Sequence, residues 1–414
     1  MAQAFFGGIH PSDQKGATNK KPVETLPPPA RVVIPMSLHI GAPCTPCVSV
    51  GDEVTVGQKV GEAPAFVSAP VHASISGKVS AVEPRIHFSG VPVMSVVIEN
   101  DFNETPCPSL TPAPDPDDLT PEQLSAIIKE AGIVGMGGAT FPTHVKITSG
   151  LGKVDTVIVN ASECEPYITS DHRILLEEPE AVLGGVKLLA RIFGVDRVHI
   201  AIEQNKSNAA GMLKLKIEEE KAPAVVDVLP TRYPQGAEKQ LCQSITGRQV
   251  PPGALPAAIG CAVFNVVTTA AIYNAVYHGK PVTHRVVTVS GSGVNEPKNL
   301  LCPIGTPIGD LLDACGGVKQ QTFKILMGGP MMGHAQFDMT APIGKGTNAI
   351  LAFADKEERT VEHPACIRCG KCISVCPMRL QPVFLYQYEA AGMLPELEAA
   401  HVMDCIECGA CTYI

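Results

Sequence analysis

The sequence predicts a multidomain protein of mixed α/β and α+β class, with an N-terminal β-barrel, a Rossmann-like core, a β-grasp module and a small α-helical module. Three observations support this prediction. Short apolar runs separated by Gly and Pro turns fill residues 31–100, strand and helix patterns alternate from residue 120, and seven of the 15 cysteines form two tight groups near the C-terminus. With 414 residues, the chain is long enough for two to four domains, each with its own core.

The composition and the N-terminal sequence argue against several classes of protein. A formal net charge of −9 argues against direct electrostatic binding to nucleic acid or to an anionic membrane surface. Met1–Gly8 lacks the basic and apolar regions of a secretory signal, so we expect a reducing compartment, either the cytoplasm or the cytoplasmic face of a membrane. Residues 255–277 contain no charge, but Pro, Gly and Asn interrupt them. They therefore predict a buried helix preceded by a loop instead of a membrane span.

The N-terminal quarter of the chain predicts an arm followed by a barrel. Residues 1–30 are rich in Pro and Lys, which is typical of an extended arm, and residues 31–103 predict a barrel-sandwich domain. Its strand signals are Val32–Ile34, Val54–Val56 and Val93–Ile98. The segment Ser68–Val79 resembles the barrel of biotinyl and lipoyl carriers. Those carriers modify a lysine at a hairpin tip, where residues 70–72 stand here as Pro-Val-His, so we expect a structural barrel.

A linker and a capped helix precede the core. Residues 104–119 are rich in Pro and Asp, which is typical of a linker. The run Thr120–Gln123 then supplies an N-cap, a first-turn proline and a capping-box glutamine, and Gly132 offers a helix stop. Residues 120–282 predict a mostly parallel sheet with helices on its faces. The strand signals are 156–159, 198–202 and 224–229, and the helical signals are 182–193 and 205–221.

The C-terminal part predicts a second α+β unit and a helical unit. Residues 283–345 predict a β-grasp module of the SLBB kind. Its elements are a strand over 285–290, a helix over 308–315 and a strand over 323–327. Residues 346–414 hold the two cysteine groups, and helices are predicted between the groups, over 380–391 and 394–402.

The two cysteine groups have the spacing of iron–sulfur ligands. The first reads C-x2-C-x2-C-x3-C-P, in which three thiolates bind one 4Fe–4S cluster and the fourth binds the neighbouring cluster. By this crossed ligation Cys376 completes a site with the second motif, and the fourth ligand of the first cluster is expected beyond residue 414. A zinc site would require neither the repeated third cysteine nor the Cys-Pro pair. The predicted ligands of this α-helical twin-cluster ferredoxin domain are Cys366, Cys369, Cys372, Cys376, Cys405, Cys408 and Cys411.

A glycine-rich loop and an acidic turn mark a second candidate site. Residues 135–146 contain closely set glycines, whose N–H groups can approach an anion or a flat ring, and Lys146, which can meet a phosphate. Glu163 and Glu165 follow a strand that ends at Asn160, where parallel sheets bind ligands, and they are placed for ribose hydroxyls or ring nitrogens. The alternatives are a plain tight turn for the loop and a solvated loop for the acids.

These segments resemble those of known families. Four of them resemble flavin- and NADH-binding segments of the NADH-binding subunit of respiratory complex I, and the β-grasp module follows in both. The matching segments are 135–146, 160–173, 232–241 and 262–268. Phe6–Pro11 with Lys15, the barrel, the core and the twin cysteine motifs together resemble the C subunits of Rnf complexes. Those membrane complexes link ferredoxin and NAD to ion translocation.

The resemblance implies a function and its cofactors. It implies a subunit of an ion-translocating ferredoxin:NAD oxidoreductase that exchanges hydride with NAD(H) through FMN and relays electrons through two 4Fe–4S clusters. It also implies other subunits of the complex and, indirectly, ferredoxin as partners, a peripheral position on the cytoplasmic face of the cell membrane, and no nucleic-acid partner or catalytic protein acid or base. The residues in FMN-contacting segments are Gly135, Gly137, Gly138, Ala139, Lys146, Asn160, Tyr233, Glu238, Asn265 and Thr268. Those near the nicotinamide nucleotide are Phe141, Lys146, Glu163 and Glu165.

Two departures and two alternatives accompany this prediction. Ala237 stands where the complex I subunit has the first of two acids, and Phe264 where it has the first of two asparagines. One alternative is a flavin-free, electron-conducting structural subunit that docks partners through the barrel. The other is a cobalamin reductase of the propanediol-utilisation type, whose core comes first, whereas an arm and a barrel precede it here. The coupling ion, the direction of electron flow, the choice between NAD and NADP and the docking partner stay open.

Other conspicuous residues are assigned no function. Cys44 and Cys47 form a lone C-x2-C pair without a second pair or a His couple. Cys164 is taken as a spacer between the two acids, and Gly328–Gly333 as a tight turn. The cysteines expected to be packed thiols are Cys107, Cys242, Cys261, Cys302 and Cys315. The charged residues expected to be solvated are Asp338, Lys345 and the run 355–359.

Overall fold

A computed structural model describes residues 5–355 and 365–414, and the first domain in it is a barrel of two antiparallel sheets. Its strands are β2 (Arg31–Pro35), β3 (Thr45–Pro46), β4 (Glu53–Val54), β5 (Lys59–Glu62), β6 (Val71–His72), β7 (Gly77–Ile86) and β8 (Pro92–Asn100). One sheet has the order β2-β8-β7-β4 and the other β3-β5-β6. Val71 and His72 are buried within β6, so residues 70–72 do not form the hairpin tip that the likeness to carrier domains predicted.

The core is a four-stranded, fully parallel sheet covered by helices. Its strands are β9 (Thr156–Ala161), β10 (Val198–Glu203), β11 (Ala224–Leu229) and β12 (Cys261–Asn265). Its helices are α1 (Pro121–Glu130), α2 (Thr143–Gly150), α3 (Ser170–Glu177), α4 (Pro179–Phe193), α5 (Ser207–Glu220), α6 (Glu238–Thr246) and α7 (Val266–His278). The strand order is β11-β10-β9-β12, so the order reverses between β9 and β12. Such a switch point leaves a crevice at the carboxyl ends of the two strands.

The start of α1 confirms one local prediction, and β12 corrects another. Thr120 Oγ1 accepts the N–H of Gln123 and the Gln123 side chain accepts the N–H of Thr120, which is the predicted capping box. Residues 261–265, predicted as part of a loop and a helix, form β12 instead, because β9 offers them a parallel neighbour. A short apolar run has no period that separates a buried strand from a buried helix.

Among the described residues, no helix has the length and apolar character needed to cross a bilayer.

Helices α4 and α7 pack closely because α4 has two glycines at their contact. A Cβ atom on Gly185 would lie 1.9 Å from the carbonyl oxygen of Thr269, and one on Gly184 would lie 2.1 Å from the ring of Tyr273. A backbone oxygen cannot rotate away as a side chain can. The helices would therefore have to separate before any side chain could fit at residue 185.

We expect Gly185→Ala to lower the free energy of unfolding by about 1–3 kcal/mol, because overpacking of a close helix contact forces the backbone to shift. The measurement is urea unfolding followed by circular dichroism. Gly211→Ala is the matched control, because Gly211 lies in α5 with nothing within 4 Å of an added Cβ. That change should be neutral or stabilise by up to about 1 kcal/mol through helix propensity. Equal effects of the two substitutions would contradict the packing explanation.

The β-grasp module is built on a six-stranded sheet that also takes in strands from outside residues 283–345. Its elements are β1 (Val23–Thr25), β13 (His284–Ser290), β14 (Lys298–Pro303), α8 (Ile308–Ala314), β15 (Lys324–Met327), β16 (His334–Ala335) and β17 (Ala349–Phe353). The order is β1-β14-β13-β17-β15-β16. The N-terminal segment is therefore not simply an extended arm, because its β1 pairs in parallel with β14. A short 3₁₀ turn at Lys15–Ala17 comes before that strand.

Lys345, predicted to be solvated, is only 1% exposed. Its ammonium group donates to the carbonyl oxygens of Pro70, at 2.8 Å, and Gly132, at 2.7 Å. Burial lowers the pKa of Lys345 to about 8. The side chain thus links the β-grasp module to the barrel and to the core, which local sequence could not show. Of the predicted solvated run, residues 356–359 lie outside the described residues.

The C-terminal unit consists of short helices around the cysteine motifs. They are α9 (Lys371–Val375), α10 (Pro382–Ala390), α11 (Leu394–Ala399) and α12 (Ala410–Tyr413). Helices α10 and α11 lie where two helices were predicted between the motifs. Helices α9 and α12 each begin just after a glycine in the left-handed region, Gly370 at φ 76° and Gly409 at φ 73°. The two motifs therefore share one local backbone form.

Candidate functional site

The glycine-rich loop lies over the switch point between β9 and β12. Asn160 and Asn265 are register partners at the carboxyl ends of these strands. A Cβ on Gly137 would lie 3.3 Å from the amide nitrogen of Asn265, so a side chain there would crowd the crevice. Gly138, at φ 124°, has nothing within 4 Å of its Cβ position. The loop therefore leaves an open cradle at the edge where a parallel sheet binds ligands.

Asn265 and Thr268, two predicted cofactor residues, lie at the N-terminus of α7, and Thr268 holds the loop against this helix. The side-chain oxygen of Asn265 accepts the N–H groups of Val267 and Thr268 and so caps the helix. Its amide nitrogen donates to Asp171 at 2.7 Å. The Thr268 hydroxyl accepts the N–H of Met136 at 2.8 Å, which ties the glycine loop to the helix N-terminus.

Lys146 lies at the side of the crevice and is paired with Glu238. Its ammonium also donates to the carbonyl oxygen of Val263 at 2.7 Å. The Lys146 side chain is 27% exposed, so one side of this cation faces solvent. Phe264, noted as a departure from the complex I pattern, is buried with its ring centroid 5.7 Å from the ammonium. The Asn160 amide donates to the Gly236 carbonyl oxygen at 2.9 Å, which joins the 232–241 segment to β9.

The two acids of the turn are both engaged within the protein, so neither forms part of a solvated loop. Glu163 is 7% exposed, accepts the N–H of Asp171 at 2.8 Å and lies 3.9 Å from the Lys15 ammonium. Glu165 accepts the N–H groups of Met331 and Met332 at 3.1 and 3.0 Å. Burial raises the pKa of Glu163 and of Glu165 to about 7. The Gly328–Gly333 turn thus binds a predicted site residue.

A cluster of buried charges beneath the turn was missed by sequence reasoning. Arg285 is 1% exposed and donates to the carbonyl oxygens of Thr347 and Met136. Burial lowers the pKa of Arg285, and the nearby carboxylates of Asp171 and Glu163 oppose this lowering. Burial raises the pKa of Asp171. Among the described residues, buried atoms without a hydrogen-bond partner include Glu163 Oε2, Asp171 Oδ1 and Arg285 Nη1. Asp171 lies in the matching 160–173 segment, but an arginine in an apolar strand gave no such signal.

The glycine cradle and these unpartnered polar atoms fit a bound polar cofactor. Buried polar groups are normally satisfied, so unsatisfied ones beside an open crevice indicate a place for further hydrogen bonds. The glycine N–H groups and Lys146 fit an anionic group such as a phosphate. Predicted FMN contacts Gly137, Asn160 and Asn265 meet here, whereas Tyr233 points elsewhere, because its hydroxyl donates to the Cys408 carbonyl oxygen at 2.6 Å.

The seven cysteines of the two motifs differ in exposure, and Cys372 and Cys411 are partly buried. Cys376 and Cys408 are buried, and Cys366, Cys369 and Cys405 are exposed. Burial raises the pKa of Cys408 and Cys411, and the neighbouring thiolates of Cys376 and Cys405 raise both further. Val375, which precedes Cys376, packs against Cys408 and Ala410, so Cys376 lies close to the second motif, which is the arrangement that crossed ligation would use. Within the described ranges, no three His, Cys, Asp or Glu side chains gather closely enough to hold a single metal ion.

Most of the remaining cysteines have the expected environment. Cys164 accepts a hydrogen bond from the Gly236 N–H at 3.4 Å. Cys44 is buried, and its partner in the lone pair, Cys47, is exposed. Cys107, which was predicted to be a packed thiol, is only half-buried. The fully packed thiols are Cys242, Cys261, Cys302 and Cys315.

Four known domain families match the chain. The Nuo51 FMN-binding domain matches residues 128–274, and the RnfC barrel sandwich hybrid domain matches residues 3–103. The SLBB domain matches residues 286–335, and the 4Fe–4S dicluster domain matches residues 360–414. The glycine cradle and the cysteine motifs thus lie in an FMN-binding match and a dicluster match.

Three relatives are similar over most of their length. The C subunit of the Na(+)-translocating ferredoxin:NAD(+) oxidoreductase complex of Acetobacterium woodii is 46% identical, and the match covers 97% of this chain and 90% of that protein. The C subunit of the proton-translocating ferredoxin:NAD(+) oxidoreductase complex of Clostridium ljungdahlii is 45% identical, with 93% and 84% covered. The C subunit of the ion-translocating oxidoreductase complex of Rhodobacter capsulatus is 41% identical, with 94% and 75% covered. Because the relatives' names state different ions, similarity does not determine the coupling ion.

A solved structure has a similar fold. The chain superposes on an NAD+-reducing NiFe hydrogenase in the H2-reduced state with a TM-score of 0.52 and 20% identity. The match covers 73% of this chain and 62% of that chain. At this identity the similarity shows the fold alone.

Proposed function

This chain belongs to the family of RnfC proteins, the C subunits of ion-translocating ferredoxin:NAD(+) oxidoreductase complexes, and on that premise we propose that residues 135–146 with Asn160 and Asn265 bind its flavin. The chain is a subunit of such an oxidoreductase, with an FMN-binding domain and a domain for two 4Fe–4S clusters. Membership confirms the family, fold class and cofactors predicted from the motifs. It does not favour the flavin-free or cobalamin-reductase alternatives.

One observation carries the assignment of the flavin site. The glycine cradle, Asn160 and Asn265 meet at the switch point of the parallel sheet, where α/β folds bind nucleotides. The 232–241 segment is joined to the same strand end through Gly236 and reaches the cysteine motifs through Tyr233. The proposed flavin site and the cluster domain therefore share one connecting segment.

Each proposed site residue has a task set by its contacts. Bound FMN supplies the conversion between two-electron exchange with NAD(H) and one-electron exchange with the clusters. The glycine N–H groups and Lys146 bind the anionic part of the cofactor, and Glu238 orients Lys146. Thr268 ties the loop to α7 through the N–H of Met136, and Asn265 caps that helix beside Gly137. A fixed arrangement of donors lowers the ordering cost of binding.

The nucleotide side of the site is assigned to the acidic turn. Phe141 closes the glycine-rich turn, because its carbonyl oxygen accepts the N–H of Gly135 at 2.8 Å. Glu163 is buried and accepts the N–H of Asp171, which fixes the start of α3. Glu165 accepts the N–H groups of Met331 and Met332 and so holds the β-grasp turn against the acidic turn. We propose that these residues together shape the wall against which NAD(H) approaches the flavin.

The cellular position and the partners follow from the family. We infer that the chain sits peripherally on the cytoplasmic face of a membrane complex and passes electrons to or from its other subunits. Ferredoxin is then an indirect partner, reached through those subunits. The exposed cysteines of the first motif suit this role, because electrons leave a protein where a cluster comes close to its surface.

We expect Lys146→Met to weaken FMN binding by about tenfold to about hundredfold, because a charge-assisted hydrogen bond contributes roughly 1.5–3 kcal/mol. FMN titration followed by fluorescence quenching measures the affinity. NADH-dependent reduction of a dye should fall in proportion to the flavin lost. Iron and sulfide contents should not change, because Lys146 lies outside the cysteine motifs.

Lys153→Met is the matched control, because Lys153 is an exposed lysine just beyond the end of α2. It should bind FMN as the unaltered chain does. Unchanged FMN affinity and dye reduction in Lys146→Met would rule out the assigned anion site. Reconstituted unaltered chain that shows no flavin absorbance would instead support the flavin-free alternative.

A further inference from the structure

The N-terminal segment 5–9 lies between the core and the cluster domain and is hydrogen-bonded to both. Ile9 and Tyr233 exchange backbone hydrogen bonds in both directions, at 2.8 and 2.9 Å. One residue earlier, the Gly8 N–H donates to the carbonyl oxygen of Val375 at 2.8 Å, just before Cys376. Two neighbouring residues of this segment thus hold different domains.

The side chains of the segment repeat this division. The Arg232 guanidinium of the core donates to the Phe5 carbonyl oxygen at 2.8 Å and lies 5.2 Å from the Phe5 ring centroid. The Arg379 guanidinium of the cluster domain lies 4.9 Å from the ring centroid of Phe6. Each aromatic ring therefore has a cation–π contact with a different domain.

Gly7 allows the segment to approach the cluster domain this closely. A Cβ at residue 7 would lie 2.7 Å from the Val375 carbonyl oxygen and 2.8 Å from that of Cys376. Its φ of 75° is also in the region that side chains disfavour. Both obstacles are backbone atoms of the first cysteine motif, so a larger residue would have to push that motif away.

The contact held by this segment brings one cluster site against the core. The Tyr233 hydroxyl donates to the Cys408 carbonyl oxygen at 2.6 Å, and Ile9, Tyr233, Cys408 and Ala410 form a small buried apolar cluster. Cys376 and Cys408 are both 8% exposed. Cys405 is exposed, as are Cys366 and Cys369 of the first motif, and Cys372 and Cys411 are partly buried. The second set of ligands, Cys376 with the cysteines of the second motif, therefore contacts the core through Cys408 and segment 5–9 through the carbonyl oxygen that precedes Cys376, and these contacts distinguish the two predicted cluster sites.

We propose that residues 5–9 form a clamp that fixes the cluster site of Cys376, Cys405, Cys408 and Cys411 against the core as the inner site. The site of Cys366, Cys369 and Cys372 is the outer one, where the partner subunit exchanges electrons. This inference rests on the proposed flavin site, because "inner" means nearer to it. The two electrons of each hydride exchanged with NAD(H) would then pass one at a time between the flavin and the outer site by way of the inner site. Segment 5–9 is a positioning element and touches no reacting atom.

The test compares Gly7→Ala with Gly16→Ala in the full-length reconstituted chain. Gly16 is exposed in the same arm, with nothing within 4 Å of its Cβ position, so that variant controls for the substitution itself. Chemically reduced clusters are mixed with NAD+ and their absorbance is followed by stopped flow. Gly7→Ala should slow cluster reoxidation by about tenfold or more, because small displacements of reacting groups cost large factors in rate. FMN content and NADH-dependent dye reduction at the flavin should not change.

A second readout needs no cofactor turnover. In the chain without cofactors, hydrogen exchange of the Gly8, Ile9 and Tyr233 amides should speed up in Gly7→Ala and not in Gly16→Ala, because the clamp's hydrogen bonds open more often. Phe6→Ala is a milder variant that should shift both readouts in the same direction if Gly7→Ala does not fold. Unchanged exchange and reoxidation would overturn the clamp. Absence of dye reduction in the unaltered chain would instead overturn the proposed flavin site.

Discussion

Replacing Cys376 by Ser is expected to remove the cluster bound by Cys405, Cys408 and Cys411, although Cys376 belongs to the other motif. In crossed ligation, the fourth cysteine of one motif binds the cluster of the other. Cys376 is buried at the end of α9, which packs against α12 of the second motif, and the preceding Val375 packs against Cys408 and Ala410. Serine cannot replace a thiolate as a soft iron ligand. The variant should therefore lose about four irons, the content of one cluster.

The decisive comparison uses two further variants, Cys408→Ser and Cys369→Ser. Iron and sulfide analysis, with electron paramagnetic resonance of the reduced protein, identifies which cluster signal remains in each. Cys376→Ser should match Cys408→Ser and differ from Cys369→Ser. If it matched Cys369→Ser instead, each motif would bind its own cluster, and the inner site would have to be redefined. FMN content should stay the same in all three, because none of these cysteines lies in the FMN-binding region.

The sequence predicted features that depend on short, local patterns. The capping box at Thr120 needs residues within one helical turn, and the cysteine motifs are recognised by spacing alone. Strand β12 was missed because four apolar residues followed by Asn265 have no helical or strand period of their own. Its neighbour β9 determines its conformation, and that neighbour lies about a hundred residues earlier in the chain.

The burial of charged residues could not be predicted, because it depends on several domains meeting. Lys345 has no local signal for burial, yet it donates to carbonyl groups of the barrel and of the core. Glu165 was expected to lie near ribose hydroxyls or ring nitrogens, and its hydrogen bonds to the β-grasp turn at Met331 and Met332 had no local signal. The need for glycine at residue 7 likewise depends on Val375, which lies against it but is far away in the sequence. Tertiary contacts of this kind outweigh local preference wherever a long-range partner exists.

Lys15→Met is expected to destabilise the chain by about 3–5 kcal/mol at about pH 8.5, because it removes one partner of a buried ion pair. The Lys15 ammonium is 4% exposed and donates to the carbonyl oxygens of Glu165, at 2.8 Å, and Ile168. It also lies 3.9 Å from Glu163 Oε2, which has no hydrogen-bond partner among the described residues. Methionine fills a similar volume but leaves the Glu163 carboxylate without this cation. Urea unfolding of the flavin-free chain measures the loss.

The pH dependence of that loss separates a charge effect from a packing effect. Burial raises the pKa of Glu163 to about 7, above the roughly 4.3 of a glutamate in the unfolded chain. Protonated Glu163 therefore stabilises the folded state fully below about pH 4.3, and this stabilisation is lost as the pH rises through about 7. Lys15 opposes this rise in pKa, so removing it should cost most at about pH 8.5 and much less at about pH 5, where Glu163 is protonated. Adding Glu163→Gln to Lys15→Met should recover much of the stability at the higher pH. Glutamine carries no charge, so no buried carboxylate is left without a cation. Asp171 and Lys206, which also act on Glu163, stay in every variant and cancel in the comparison. An equal loss at both pH values, without recovery in the double variant, would mean that Lys15 stabilises the turn by packing and by its carbonyl contacts alone.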